Sequence, residues 1–141
     1  MQLIQLIEEL HRMSAREWAA RSAALGVSYS EFEYLRAIEA QESKKTDKND
    51  HGQHLQDVVE DMGVRKASAS AMVVKLEERE LVCRVPCRFD ARAQHILLTA
   101  KGAEKVKAGQ EVYEQVSRLL EARFDPATLI QFKTAINTIA D

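Results

Sequence analysis

A mainly α-helical fold with one small β-hairpin is what this sequence predicts, and three observations predict it. Apolar residues recur at three- and four-residue steps through most of the chain, the period of helices buried along one face. Only two short stretches, LVCRVP (81–86) and HILLT (95–99), read as strands. Between two short helical segments stands Gly63, which takes a left-handed backbone without steric cost and so ends one helix ahead of the next.

The elements follow in order. Leu3, Leu6, Ile7, Leu10, Met13 and Ala20 mark a long helix over 2–24, with Gly26 just past its end. Ser28 or Ser30 caps a second helix that runs to about Gln41, with Phe32, Leu35 and Ile38 on one face. The stretch ESKKTDKNDHGQ (42–53) contains no large apolar residue and reads as a long loop. Leu55, Val58, Val59 and Met62 then form a short apolar stripe up to Gly63. Beyond it RKASASAMVVKLEERE turns Ala69, Met72, Val73 and Leu76 inward, and the pair meets the requirements of a helix-turn-helix. The two strand-like runs flank a charged tip and make a hairpin, which has an edge wherever Pro86 needs one. Thr99 caps a helix over 100–122 that carries Val106, Val112, Tyr113, Val116, Leu119 and Leu120. Asp125-Pro126 opens the last helix, proline being favoured at the first helical position.

Bulk properties narrow the class. A chain of 141 residues, 45% apolar and 30% charged, is expected to form a single globular domain with no need of disulfides. No apolar run approaches the roughly 20 residues of a membrane span, and Glu8 and Glu9 interrupt the opening MQLIQLIEEL too soon for a secretory signal. A cytoplasmic protein without membrane contact is expected. Cys83 and Cys87, if they share a strand, have Cα atoms about 13 Å apart, too far to bridge. The net charge of -2 conceals a basic segment. From Met62 to His95, seven Lys/Arg face four Asp/Glu, a net of +3 that leaves -5 for the rest. Such a segment marks where an anionic partner would sit.

The charged tip and the strand after it, RFDARAQHILLTAKG (88–102), carry the most specific pattern. Asp90, Arg92, Leu98, Thr99 and Gly102 stand in the register D-x-R followed by L-T-x-x-G, which resembles the wing signature of the MarR-type winged-helix transcription regulators. GVRKASASAMVVKLEERELV is similar to that family's recognition helix and the turn into its wing. The resemblance covers nearly the whole chain in element order and is specific for about 63–102. It implies one domain over 1–141, with a DNA-binding lobe at 28–102 and dimerisation helices at 1–27 and 103–141. Three departures stand out: Glu80 where the family usually has glycine, Ala93 where many members carry a second arginine, and the longer 42–53 loop.

The resemblance also assigns roles. The helix after Gly63 is expected to enter the major groove by its N-terminal end. Ser68 and Ser70 then reach a base edge or phosphate, while Arg65, Lys66 and Lys75 serve flanking phosphates. In the wing, Arg92 is expected along the minor groove, with Arg84 and Arg88 toward the backbone and Asp90 bracing the tip. The opposing reading makes the Ser/Ala/Lys face an ordinary solvated helix surface and the wing charges a surface ion pair. One such motif reads few base pairs, so a homodimer on a pseudo-palindromic double-stranded operator is implied. The stripes Leu3/Leu6/Ile7/Leu10 and Leu129/Phe132/Ile136/Ile139 supply its interface.

The expected activity is that of a repressor relieved by a small aromatic or anionic effector or by oxidation. His11, Trp18, Tyr29, Phe32 and Tyr113 are candidates to line an effector pocket, although aromatics at helical spacing also build cores. Cys87 beside Arg88 is the candidate redox group. His51, His54, Cys83, Cys87 and His95 show no compact ligand spacing, so no metal is expected. There is no Gly-rich phosphate loop and no nucleophile motif, so neither an enzyme nor a cofactor is expected. The rival function is a protein of the same fold that acts through protein partners, as an antirepressor, with weak or no DNA binding.

Overall fold

The computed structural model describes residues 2–43, 54–87, 92 and 94–140. Arg88, Asp90, Ala93, His51 and most of the 42–53 loop lie outside the described residues. The elements run α1 (Leu3–Leu25), α2 (Tyr29–Ser43), α3 (Leu55–Met62), α4 (Lys66–Glu78), β1 (Val82–Pro86), β2 (Gln94–Leu98), α5 (Ala100–Glu121) and α6 (Pro126–Ala140). The mainly helical fold with a two-stranded hairpin is therefore the observed one. No helix among the described residues is long and apolar enough to cross a membrane.

Each start signal has a geometric counterpart. Ser28, not Ser30, caps α2: its Oγ accepts the Glu31 N–H at 3.1 Å, while the Glu31 carboxylate accepts the Ser28 N–H at 3.2 Å. This reciprocal pair satisfies two of the donors a helix start leaves open. Thr99 Oγ1 accepts the Gly102 N–H at 3.0 Å at the head of α5. Asp125 accepts the Thr128 N–H at 3.0 Å and also its hydroxyl, with Pro126 as the first residue of α6. The Thr128 hydroxyl, then its N–H, holds the Asp125 carboxyl below the usual carboxylate range. That cap is at full strength above the ordinary carboxylate range and is lost as pH falls through the lowered value.

The chain divides into two compact units, residues 22–109 and residues 1–21 with 110–141. In the first, α2 packs on α3 and β2, α3 on α4, and α4 on β1. Phe32, Leu35, Ile38, Val58, Leu76, Leu81 and Val82 fill its centre. The hairpin is antiparallel, with Val82 opposite Leu98, Arg84 opposite Ile96 and Val85 opposite His95. Two side chains tie its surroundings: Glu42 accepts the Leu98 N–H at 2.9 Å, and Lys105 donates to the Leu25 carbonyl at 2.6 Å. The second places a cation where the last carbonyls of α1 need a partner.

In the other unit, Trp18, Val112 and Val116 are buried, and the Trp18 and Tyr113 rings lie 6.1 Å apart at 48°. Its outer helices keep large apolar side chains in solvent, from Leu3 (71% exposed), Ile4 and Ile7 to Ile130, Ile136 and Ile139 (79%). These units do not share the boundaries of the expected lobe and flanking helices, because α1 and α5 each contribute to both.

Candidate nucleic-acid interface

The two-helix motif is set by its turns. Gly63 ends α3 at φ 64°, its N–H donating to the Val59 carbonyl at 2.9 Å. A Cβ there would meet nothing within 4 Å, so the residue is required by conformation and not by space. At the far end of α4, Leu81 N–H donates to Leu76 and Glu80 N–H to Glu77, both at 2.9 Å. These are the 6→1 and 5→2 bonds of a Schellman motif, which demands a left-handed residue at the position of Glu80. Glu80 does adopt φ 60°. The turn keeps the geometry glycine would give, at a cost of about 1–2 kcal/mol for a residue with a Cβ. Glu80→Gly relieves that cost against the roughly 0.5–1 kcal/mol of added chain entropy. A gain of about 0.5–1 kcal/mol in urea unfolding is expected, and a loss would contradict it.

Between those turns α4 buries Ala69, Val73 and Leu76. Lys66, Ala67, Ser68, Ala71 and Lys75 remain exposed, and Ser70 is half-buried. Small side chains at its N-terminal end leave the helix surface open to close approach. Ala69 belongs to the core. Arg65 is the extended residue preceding α4 and is exposed.

The cations divide into two sets. Lys66, Arg84 and Arg92 line one cleft of about 290 Å³ together with His54, Gln56 and Gln94. Arg84 is half-buried there, its Nε 3.5 Å from Glu77 Oε2. Lys75 lies 3.8 Å from the Glu31 carboxylate, which is itself buried and also holds Arg79. Arg79 donates to the Gly26 carbonyl as well. Lys75 and Arg84 thus each face a carboxylate of the protein itself, whereas the resemblance assigned both to DNA.

The aromatic candidates are likewise divided. His11 is exposed and Trp18 buried in the unit formed by residues 1–21 and 110–141, where Tyr113 is half-buried. Tyr29 is exposed on the other unit, and Phe32 is wholly enclosed in its core, with the Arg36 guanidinium 5.9 Å from its ring. Both cysteines are free thiols, Cys83 half-buried and Cys87 buried at 6% exposure. Sensor thiols are accessible ones, so burial weighs against Cys87 as a direct target of oxidants.

The hairpin also brings together residues that sequence spacing keeps apart. His54, at the head of α3, Cys87, just beyond β1, and His95, in β2, present ligand atoms within 4.8 Å of one another. The two imidazole rings are 4.9 Å apart at 57°.

Comparison with known proteins agrees with this geometry. The sequence matches no protein-family model and no curated relative. Its structure is similar to that of apo MarR from E. coli, with a TM-score of 0.77 and 15% identity over 100% of this chain and 98% of that one. A MepR variant from S. aureus bound to an oligodeoxyribonucleotide gives 0.69 and 17%, over 99% and 96%. BpsR of Bordetella bronchiseptica, described for regulation of its DNA binding by 6-hydroxynicotinic acid, gives 0.69 and 18%, over 99% and 94%. This is the MarR-type winged-helix fold. Within that fold α3 and α4 are the two helices joined by the Gly63 turn, and β1–β2 is the hairpin that follows them. The hub formed by Arg79 on Glu31 had no sequence signal, because its partners lie 48 residues apart in the chain. Sequence offered Ser28 and Ser30 alike as the cap of α2, and the structure selects Ser28 with Glu31.

Proposed function

We propose that this chain is a dimeric, sequence-specific DNA-binding transcription regulator of the MarR type. The observation that carries the reading is the cleft shared by Lys66, Arg84 and Arg92 beside the small-residue face of α4. Cations from a recognition helix and a wing converge there, as a duplex backbone and its groove require. The similar MepR structure that holds an oligodeoxyribonucleotide supports the same assignment.

Phosphate contacts release counterions, so their loss has a signature beyond weaker binding. Arg92→Ala lowers operator affinity and reduces the slope of log affinity against log salt by about 1. Fluorescence anisotropy across a salt series measures both, and unchanged affinity at every salt would remove Arg92 from the interface. Operator and random duplexes compared at physiological salt test the function itself; equal affinity for the two refutes sequence-specific recognition.

Dimerisation follows from the exposed apolar faces of α1 and α6. Leu3, Ile4, Ile7, Ile130, Ile136 and Ile139 are large apolar side chains left exposed on these two helices, the kind of surface that marks an interaction site when it is contiguous. A second copy of the chain covers them in this reading. Ile7→Glu combined with Ile136→Glu converts the dimer to a monomer in sedimentation velocity, and a wild-type monomer at micromolar concentration would overturn the assembly. Within the dimer the protein acts as a repressor, released by a small aromatic or anionic effector near Trp18 and Tyr113, a reading that the regulation of BpsR by 6-hydroxynicotinic acid supports by analogy.

The ion pairs of Arg84 with Glu77 and of Lys75 with Glu31 favour a second reading. Both cations must leave a carboxylate to reach phosphate, which suits a protein that works through protein partners and binds DNA weakly. The operator-against-random comparison separates the two.

A further inference from the structure

We propose that His54, Cys87 and His95 form a binding site for a thiolate-seeking divalent cation of the Zn(II) class. Their three ligand atoms already lie within 4.8 Å of one another. An ion bound tetrahedrally at about 2.0–2.1 Å from nitrogen and 2.3 Å from sulfur holds its ligands about 3.3–3.8 Å apart. The remaining difference is about 1 Å.

The chain positions each ligand for a separate reason. The backbone N–H of His54 donates to Asp57 Oδ2 at 2.7 Å, which fixes the residue at the head of α3. Antiparallel pairing puts Val85 opposite His95, and Cys87 follows Val85 by two residues. Cys87 therefore occupies the diagonal position, at about 7–8 Å between Cα atoms, a span that a thiol and an imidazole readily close. The His54 and His95 imidazoles are 4.9 Å apart.

The donor set is chemically selective. Two imidazoles and one thiolate suit zinc or copper and exclude magnesium and calcium, which take oxygen. Three protein ligands leave one tetrahedral position for water, and His54 also lines the cleft of about 290 Å³ through which water arrives. Binding displaces the thiol proton, so the bound ion contributes a net charge of +1 beside Lys66, Arg84 and Arg92. It also ties α3 to the wing. This consequence, unlike the site itself, rests on the DNA-binding reading: metal and DNA then bind with positive coupling, of the order of 5- to 150-fold.

Titration of the full chain with Co(II), in reductant and without DNA, tests the site independently of that reading. The expected result is a thiolate-to-cobalt charge-transfer band with tetrahedral ligand-field bands, saturating at one ion per chain and displaced by Zn(II). Cys87→Ser abolishes the charge-transfer band, His95→Ala weakens binding by more than about tenfold, and Cys83→Ser leaves both unchanged. Absence of the band in wild-type protein with native far-UV circular dichroism overturns the site, as does a band that survives Cys87→Ser. Tighter operator binding by Zn(II)-loaded wild type, absent in Cys87→Ser, supports the coupling. Equal affinity with and without Zn(II) overturns it while leaving the spectroscopic result to stand.

Discussion

Gly102→Ala is expected to lower the unfolding free energy by about 2–3 kcal/mol, in a helix where alanine ordinarily gains about 1 kcal/mol over glycine. The reversal comes from space. A Cβ on Gly102 would lie 2.0 Å from the carbonyl oxygen of Leu81 and 3.0 Å from its carbonyl carbon, and both are backbone atoms. Neither side yields cheaply. The Leu81 oxygen accepts the Thr99 N–H at 3.1 Å, and the Gly102 N–H is held by Thr99 Oγ1. Relief of the overlap separates α5 from the end of α4 and breaks the cap as well as the packing. Overpacking costs about 1–3 kcal/mol and a lost cap about 0.5–2 kcal/mol, against which the helix propensity is the smaller quantity. Gly63 shows the contrast: there a Cβ meets open space, and only the left-handed backbone resists substitution. Urea unfolding of Gly102→Ala that shows equal or greater stability would contradict the close approach.

Phe32→Ala carries a larger effect, about 3–5 kcal/mol, because the residue is 0% exposed, as are Leu35, Ile38 and Val58 of the same core. With total stability commonly near 5–15 kcal/mol, this variant comes close to unfolding. Phe32→Leu keeps most of the volume and is expected to remain folded, with a loss below that of alanine. The pair discriminates between roles. A ring that lined an effector site would change ligand affinity while leaving stability nearly intact, and a core ring does the reverse. A small stability change in Phe32→Ala would return the residue to the list of pocket candidates.

These two residues show what local sequence discloses and what it does not. Gly102 was legible as part of L-T-x-x-G, and Phe32 as one of a helical stripe with Leu35 and Ile38. Caps were equally legible, since Ser28, Thr99 and Asp125-Pro126 act on donors within three residues of themselves. The left-handed exit from α4 was legible only as a departure, Glu80 where the resembled family usually has glycine, and Glu80 keeps the left-handed turn at φ 60°. Pairings across the lobe were not legible. Lys75 and Arg84 carried charges that suited phosphate, and nothing local marked Glu31 or Glu77 as their neighbours. The trio at 54, 87 and 95 was hidden for the same reason, since its proximity depends on hairpin register and on a contact between residues 41 apart in the chain. Periodicity showed which faces of α1 and α6 are apolar, but not which molecule covers them.

Thr99 has one more consequence. Its N–H donates to Leu81 and its hydroxyl to the Glu80 carbonyl at 2.7 Å, so the two ends of the hairpin are fastened together at the base. A loop closed in this way tolerates change at its apex far better than at its knot, because each doubling of loop length costs only about 0.6 kcal/mol. Insertions between Cys87 and Gln94 are therefore expected to cost the lobe little stability. Length at the apex is the cheap variable in this architecture, and a lineage or a designer seeking a new groove geometry has it available without disturbing α4.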